Sequence, residues 1–180
     1  GIGQVSQRIE GFKKVTTSFC IQMDDDISFK EDFLNLFVNT FKTLPVNSVL
    51  APSFFFKKEP ISVLISPKPP ISHFLYFILD GKFIPSYGEI SKGGLPFGIN
   101  PVLNKGEVPL VKTSWIPGAC VIHRTENLLT NWQYPKEGKA YAEDLIHSQL
   151  LKKQKINLFI DRSLFINLEN EVKTTSLNIK

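Results

Sequence analysis

Three consecutive carboxylates, Asp24, Asp25 and Asp26, directly follow an apolar run that ends in Ile21-Gln22-Met23. Carboxylates at i and i+2 can share one hard cation. Mg2+ or Mn2+ held by so few protein ligands keeps positions open for water and substrate phosphates. If the apolar run is a strand of an α/β sheet, the triplet sits at its carboxyl end, where such sheets bind ligands. An EF-hand loop is excluded, because counting from Asp24 puts Phe29 where its glycine belongs and Asn35 where its glutamate belongs. The plain alternative is an acidic cap for the next helix, a task for which Ser28 and Asp32 already stand in place.

A second acidic pair, Glu143-Asp144, opens a helical pattern 120 residues after Asp24. Taken alone, it complements a helix dipole. His147 lies three residues beyond Asp144, close to one helical turn, so it can face the same side. A lone helical histidine is otherwise a surface or packing residue. His123 lies within an apolar run and reads as structural. The Phe54-Phe55-Phe56 run reads as a buried strand end, with a membrane-facing patch as the lesser reading.

The elements that must position these groups alternate. Residues 3–15 carry Val5, Ile9 and Phe12 at helical spacing, and 17–23 read as a strand. Residues 30–44 form an amphipathic helix with Phe33, Leu34, Phe37, Val38 and Phe41 on one face, closed by Pro45. A strand over 48–51 leads into Pro52. Residues 54–115 hold most of the prolines and read as an irregular insertion, with short strands at 61–65 and 108–112; such a stretch usually builds a binding surface. Strands follow at 118–124, 156–160 and 164–168, with a helix over 142–153 between the first two. The expectation is one α/β domain spanning 1–180, around a mostly parallel sheet flanked by helices.

The 180 residues suffice for a sizeable core, and 42% hydrophobic with 21% charged residues excludes general disorder. A net charge of +4 suits phosphorylated ligands or the neighbourhood of an anionic membrane. Lys152, Lys153 and Lys155 read as a solvated helix C-terminus. The charge is too modest and scattered for nucleic-acid binding. Cys20 and Cys120 make no disulfide framework and read as buried free thiols in a reducing compartment. The N-terminus has no signal-peptide pattern, and the longest apolar stretch, 71–79, is too short to span a bilayer.

Three blocks in order, GQVSQRIEGF running into FCIQMDDDI, then WIPGACVIHR, then YAEDLIHSQLLKKQ, resemble glycosyltransferase family 2, the inverting enzymes of GT-A fold. The resemblance covers roughly 3–51 and 115–168. It implies that Asp24 contacts the donor ribose or the metal, and that Asp26 ligates the Mn2+ or Mg2+ bridging the diphosphate. Arg8 and Asp25 would lie on the donor side. Gly118 and Ala119 would form the small-residue turn beside the sugar pocket. Asp144 would be the catalytic base, with Glu143 assisting the acceptor. Trp115 has two readings, a platform for a sugar face and a core residue. Relatives often carry a third metal ligand, a histidine, on the last strand, where this chain has Asn167. Relatives also begin with a strand, a helix and a second strand that grip the base. Here the chain starts on the helix before the triplet, so the donor site is expected to lack about 60 residues.

The expected function is a metal-dependent transfer of sugar from a nucleotide-sugar donor to a hydroxyl of a glycan or lipid-linked acceptor. The setting would be surface-polysaccharide biosynthesis, cytoplasmic and at the inner face of the membrane. The alternative is a catalytically degenerate GT-A-like module that binds carbohydrate or acts as a scaffold. A phosphotransferase or nucleotidyltransferase is a third class, but Gly93-Gly94 is not followed by the Lys-Ser or Lys-Thr of a phosphate loop.

Overall fold

The computed structural model describes residues 3–56, 59–60, 74, 77–78, 81, 88–94, 96–97, 103, 105–134 and 142–168. Its strands are β1 (Phe19–Met23), β2 (Ile27–Ser28), β3 (Ser48–Phe56), β4 (Glu59–Pro60), β5 (Leu110–Thr113), β6 (Cys120–Arg124) and β7 (Asn157–Leu168). The helices are α1 (Gln4–Lys13), α2 (Phe33–Lys42) and α3 (Glu143–Lys153), with a 3-10 turn at Thr125–Asn127. The strands form one sheet in the order β1-β6-β3-β7-β2; β4 extends the far end of β3, and β5 pairs with the first half of β7.

Successive side chains of a strand point to opposite faces, and here each face carries its own core. On one face Leu50, Phe54, Cys120, Ile122, Leu164 and Ile166 meet Phe33, Phe37, Phe41 and Leu44 of α2 and its C-terminal turn. Phe37 and Phe41 are fully buried, each stabilising by roughly 1.5–3 kcal/mol through burial alone. On the other face Val49, Ala51, Val121, Leu158 and Ile160 pack with Leu151 of α3 and with Ile116, Leu129 and Ile156. The one-face apolar spacing of α1 holds as expected, with Val5, Ile9 and Phe12 all buried. Phe12 reaches His123 of β6, with ring centroids 5.8 Å apart.

The expectation of a mostly parallel sheet is corrected. Among the described strands only β3 and β7 pair in parallel; the other pairings are antiparallel. The alternation nevertheless held in one respect. Because β1 and β3 each pair antiparallel with β6, they run in the same direction, and β7 runs with them. The strands that follow α1, α2 and α3 are thus codirectional, but β6, running the other way, inserts between β1 and β3, while β5 and β2 take the outer edge of β7. Helical crossovers dictate strand direction, not which strand becomes the neighbour.

Two boundaries also move. Strand β3 continues through Pro52 to Phe56, so the irregular segment expected from 54 begins inside a strand, and Phe54 is buried as expected of a strand end. Pro52 is tolerated because the β3–β7 register shifts between Pro52 and Ser53, where the partner jumps from Asp161 to Phe165. That irregularity also explains why 156–160 and 164–168 read as two strands while β7 is one. The strand expected at 61–65 lies outside the described residues. Among the described residues, no helix is long and apolar enough to cross a membrane.

Candidate functional site

The acidic triplet begins where β1 ends, and the opposite strand holds it there. Met23 pairs with Cys120, and beyond this last pair the Asp24 amide donates to the Ala119 carbonyl at 2.9 Å. Residues 118 and 119 form the turn that enters β6. The Gln22 side chain, one register position back, donates through Nε2 to the Gly118 carbonyl. Asp24 and Asp26 are half-buried, while Asp25 is exposed.

On the other side of the same turn stands the start of α3. A methyl group at Gly118 would collide with Oδ1 of Asp144 and come within 3.3 Å of its Cγ and of Glu143 Oε1. The glycine leaves room for these carboxylates where they stand. Ala142, which leads into α3, adopts the left-handed conformation at φ 58° and ψ 21°. For a residue with a Cβ this costs about 1–2 kcal/mol, and such strain concentrates at functional sites. It turns the chain so that Glu143 and Asp144 occupy the first turn of α3, at the positive end of the dipole.

Helix α1 closes the constellation. Nη1 of Arg8 donates to both carboxylate oxygens of Glu143, at 2.7 and 2.5 Å, and both side chains are less than a tenth exposed. Arg8 is also close enough to act on Asp24 and Asp144. Arg8, Asp24, Gly118, Ala119, Glu143 and Asp144, which come from four separated segments, therefore share one place.

The electrostatics follow from crowding. Burial first, and then the neighbouring charges of Asp26, Glu143 and Asp25, raise the proton affinity of Asp24, with Arg8 opposing. The Asp144 carboxyl is pushed up to about 7 by burial, then by the charge of Glu143 and a hydrogen bond with it. The Gly118 amide and Arg8 pull in the opposite direction. A carboxyl that titrates near neutrality is matched to taking and returning a proton there.

The other expected residues fall as follows. Glu143 is buried against Arg8, so it anchors α3 to α1 and is not presented as an acceptor contact. Trp115 is a core residue, 6% exposed, with Nε1 donating to the Phe97 carbonyl at 3.0 Å; its ring is not offered to a sugar. Asn167 pairs with Ser28 in the β2–β7 ladder and lines a cleft of about 410 Å³ with Phe29, Lys30, Phe55 and Phe165. His147 is buried, stacked on Trp132 and edge-on to His123, each at 5.8 Å between centroids. Burial holds both histidines well below the ordinary range, His123 down to about 3 and His147 to about 4. Both cysteines are free thiols, as expected, and burial raises Cys20 and takes Cys120 up to about 12, which leaves neither as a nucleophile. Lys152 and Lys153 sit in the last turn of α3 and are exposed, as a solvated helix end requires.

Sequence reasoning missed Gln22, because a polar residue in a strand reads as a solvent-facing position. Its signal was its place on the same strand face as Asp24.

A divalent cation fits the chemistry of the donor set. Asp26, Asp25 and Glu143 near Asp24 offer carboxylate oxygens, which suit Mg2+ or Mn2+ better than softer metals; Arg8 already offsets part of their mutual repulsion, and a bound cation would relieve the rest. Among the described residues, no group of three or more His, Cys, Asp or Glu is arranged to hold a metal. The protein's share would be Asp24 and Asp26, with phosphates and water completing the shell. Compared with known proteins, the chain matches no family model and no curated sequence.

Proposed function

We propose that this chain is a metal-dependent inverting glycosyltransferase of GT-A type, transferring sugar from a nucleotide-sugar donor to a hydroxyl of a glycan or lipid-linked acceptor. The observation that carries the reading is the seat of Asp144. It lies on one side of the Gly118–Ala119 turn, with Asp24 bound to the other side, and its proton affinity is raised towards neutrality. In this role Asp144 accepts the proton of the acceptor hydroxyl. The hydroxyl oxygen bonds to the anomeric carbon as the bond from that carbon to the diphosphate breaks, so configuration inverts. A positioned base contributes roughly 10²–10⁴-fold. Asp24 and Asp26 would hold Mn2+ or Mg2+, which when bound neutralises charge growing on the leaving diphosphate. The strained Ala142, the glycine at 118 and the Arg8–Glu143 pair fix the base before substrate arrives.

A second reading, a carbohydrate-binding or scaffold module without turnover, is favoured by one feature: Nη1 of Arg8 is committed to Glu143, leaving fewer guanidinium donors for phosphate. The two are separated by following nucleoside diphosphate release from UDP-, GDP- and dTDP-sugars with Mn2+ present, in the native chain and in Asp144→Asn. A transferase loses at least 10²-fold of that release in the variant while keeping its affinity for the nucleotide. Release that survives the substitution would remove Asp144 from the role of base.

A further inference from the structure

Gln22 belongs to neither the triplet nor the acidic pair, yet it touches the turn between them. Its Nε2 donates to the Gly118 carbonyl, while its Oε1 is buried without a hydrogen-bond partner among the described residues. A buried carboxamide half-satisfied in this way is costly, and a purely structural position would be cheaper with an apolar side chain. Three contacts meet at this turn. Gln22 holds the Gly118 carbonyl, the Ala119 carbonyl accepts from Asp24, and the Gly118 Cα faces Asp144 with no space for a Cβ. The Asp144 carboxyl is thus seated against Gly118, and the Gln22 side chain holds the carbonyl of that same residue.

We infer that Gln22 is a positioning residue for the base, acting through the Gly118 carbonyl to hold the turn against which Asp144 is seated. The inference rests on Asp144 being the base, but its test does not require turnover. Freeing Gly118 weakens the bond its amide makes to the Asp144 carboxylate, a bond that favours the ionised form.

The experiment follows the Asp144 side-chain carboxyl by carbon NMR across a pH titration of the full chain. The native protein is compared with Gln22→Met, which keeps length and loses the donor. Gln22→Asn, one methylene too short to reach Gly118, serves if the first variant does not fold. Thr17→Val is the control, because it removes a side-chain-to-backbone bond away from the turn, the exposed Thr17 Oγ1 to the Phe19 carbonyl at 2.8 Å, just before the opposite end of β1. The expected result is an Asp144 midpoint raised by about 1 unit in either Gln22 variant and unmoved in Thr17→Val. An unchanged midpoint in the Gln22 variants, or an equal shift in the control, overturns the inference. Nucleotide titration of the same samples bears separately on the transferase reading, so the two can fail independently.

Discussion

Arg8 on α1 and Glu143 at the start of α3 stand 135 residues apart in the chain, and a single guanidinium nitrogen donates to both oxygens of the carboxylate. With both side chains buried, the pair cannot be valued as a surface ion pair. Removing one partner strands the other charge.

Arg8→Ala should therefore destabilise the fold by about 3–5 kcal/mol, measured by urea denaturation. Arg8→Met combined with Glu143→Leu should recover part of that loss, because neither member of the pair is left charged without the other, although Asp24 still loses the Arg8 charge. A single Arg8→Ala variant as stable as the native chain would show that the pair is open in solution.

Gly118→Ala tests the close approach of the turn to α3. The added methyl collides with the Asp144 carboxyl, so that side chain must turn away or the turn must shift. Overpacking of this kind costs about 1–3 kcal/mol. Wild-type stability and an unchanged Asp144 titration in this variant would mean that the turn and helix are not in contact.

The pH dependence of stability has opposing parts. The folded-state proton affinities of His123 and His147 lie far below their ordinary 6.5, so the unfolded chain binds more protons and stability falls as pH drops below about 6.5. Asp144 acts the other way: raised from 3.8 to about 7, it contributes stability below the unfolded value that is lost as pH rises through neutrality. From pH 6.5 downwards the two histidines outweigh Asp144, so stability falls on acidification by on the order of 1 kcal/mol per unit, with Asp24, raised in the same sense as Asp144, offsetting part of that loss towards its ordinary value. Denaturation midpoints at pH 5 and pH 6.5 measure it, and His123→Phe should flatten the slope. Above pH 7, Asp144→Asn should be more stable than the native chain by about 1 kcal/mol or more, as expected where a site holds charge for function.

Much of the site was legible because chemistry-bearing residues were set against strong local patterns. The triplet closes a five-residue strand, and Glu143-Asp144 opens a helix, so each carboxylate could be placed on an element end before the elements were placed in space. What the pattern could not supply was neighbourhood. Nothing local says that β6 enters between β1 and β3, and that insertion is what brings Gly118 and Ala119 beside Asp24. Nor does local pattern assign Arg8 to Glu143, since both read equally well as solvated or as ligand-facing. Trp115 and Phe97 belong to segments that only tertiary packing joins, so the burial of the indole was open until the fold was known. Pro52 read as a strand end, whereas a register shift in the partner strand carries β3 past it.

The most direct test of the central claim is calorimetric titration of the folded chain with UDP, GDP and dTDP, each with and without Mn2+, repeated on Asp26→Ala. The account predicts that one nucleotide binds, only when Mn2+ is present, and that Asp26→Ala abolishes the binding. A folded chain that binds none of the three, or binds equally well without Mn2+ or without the Asp26 carboxylate, would contradict it.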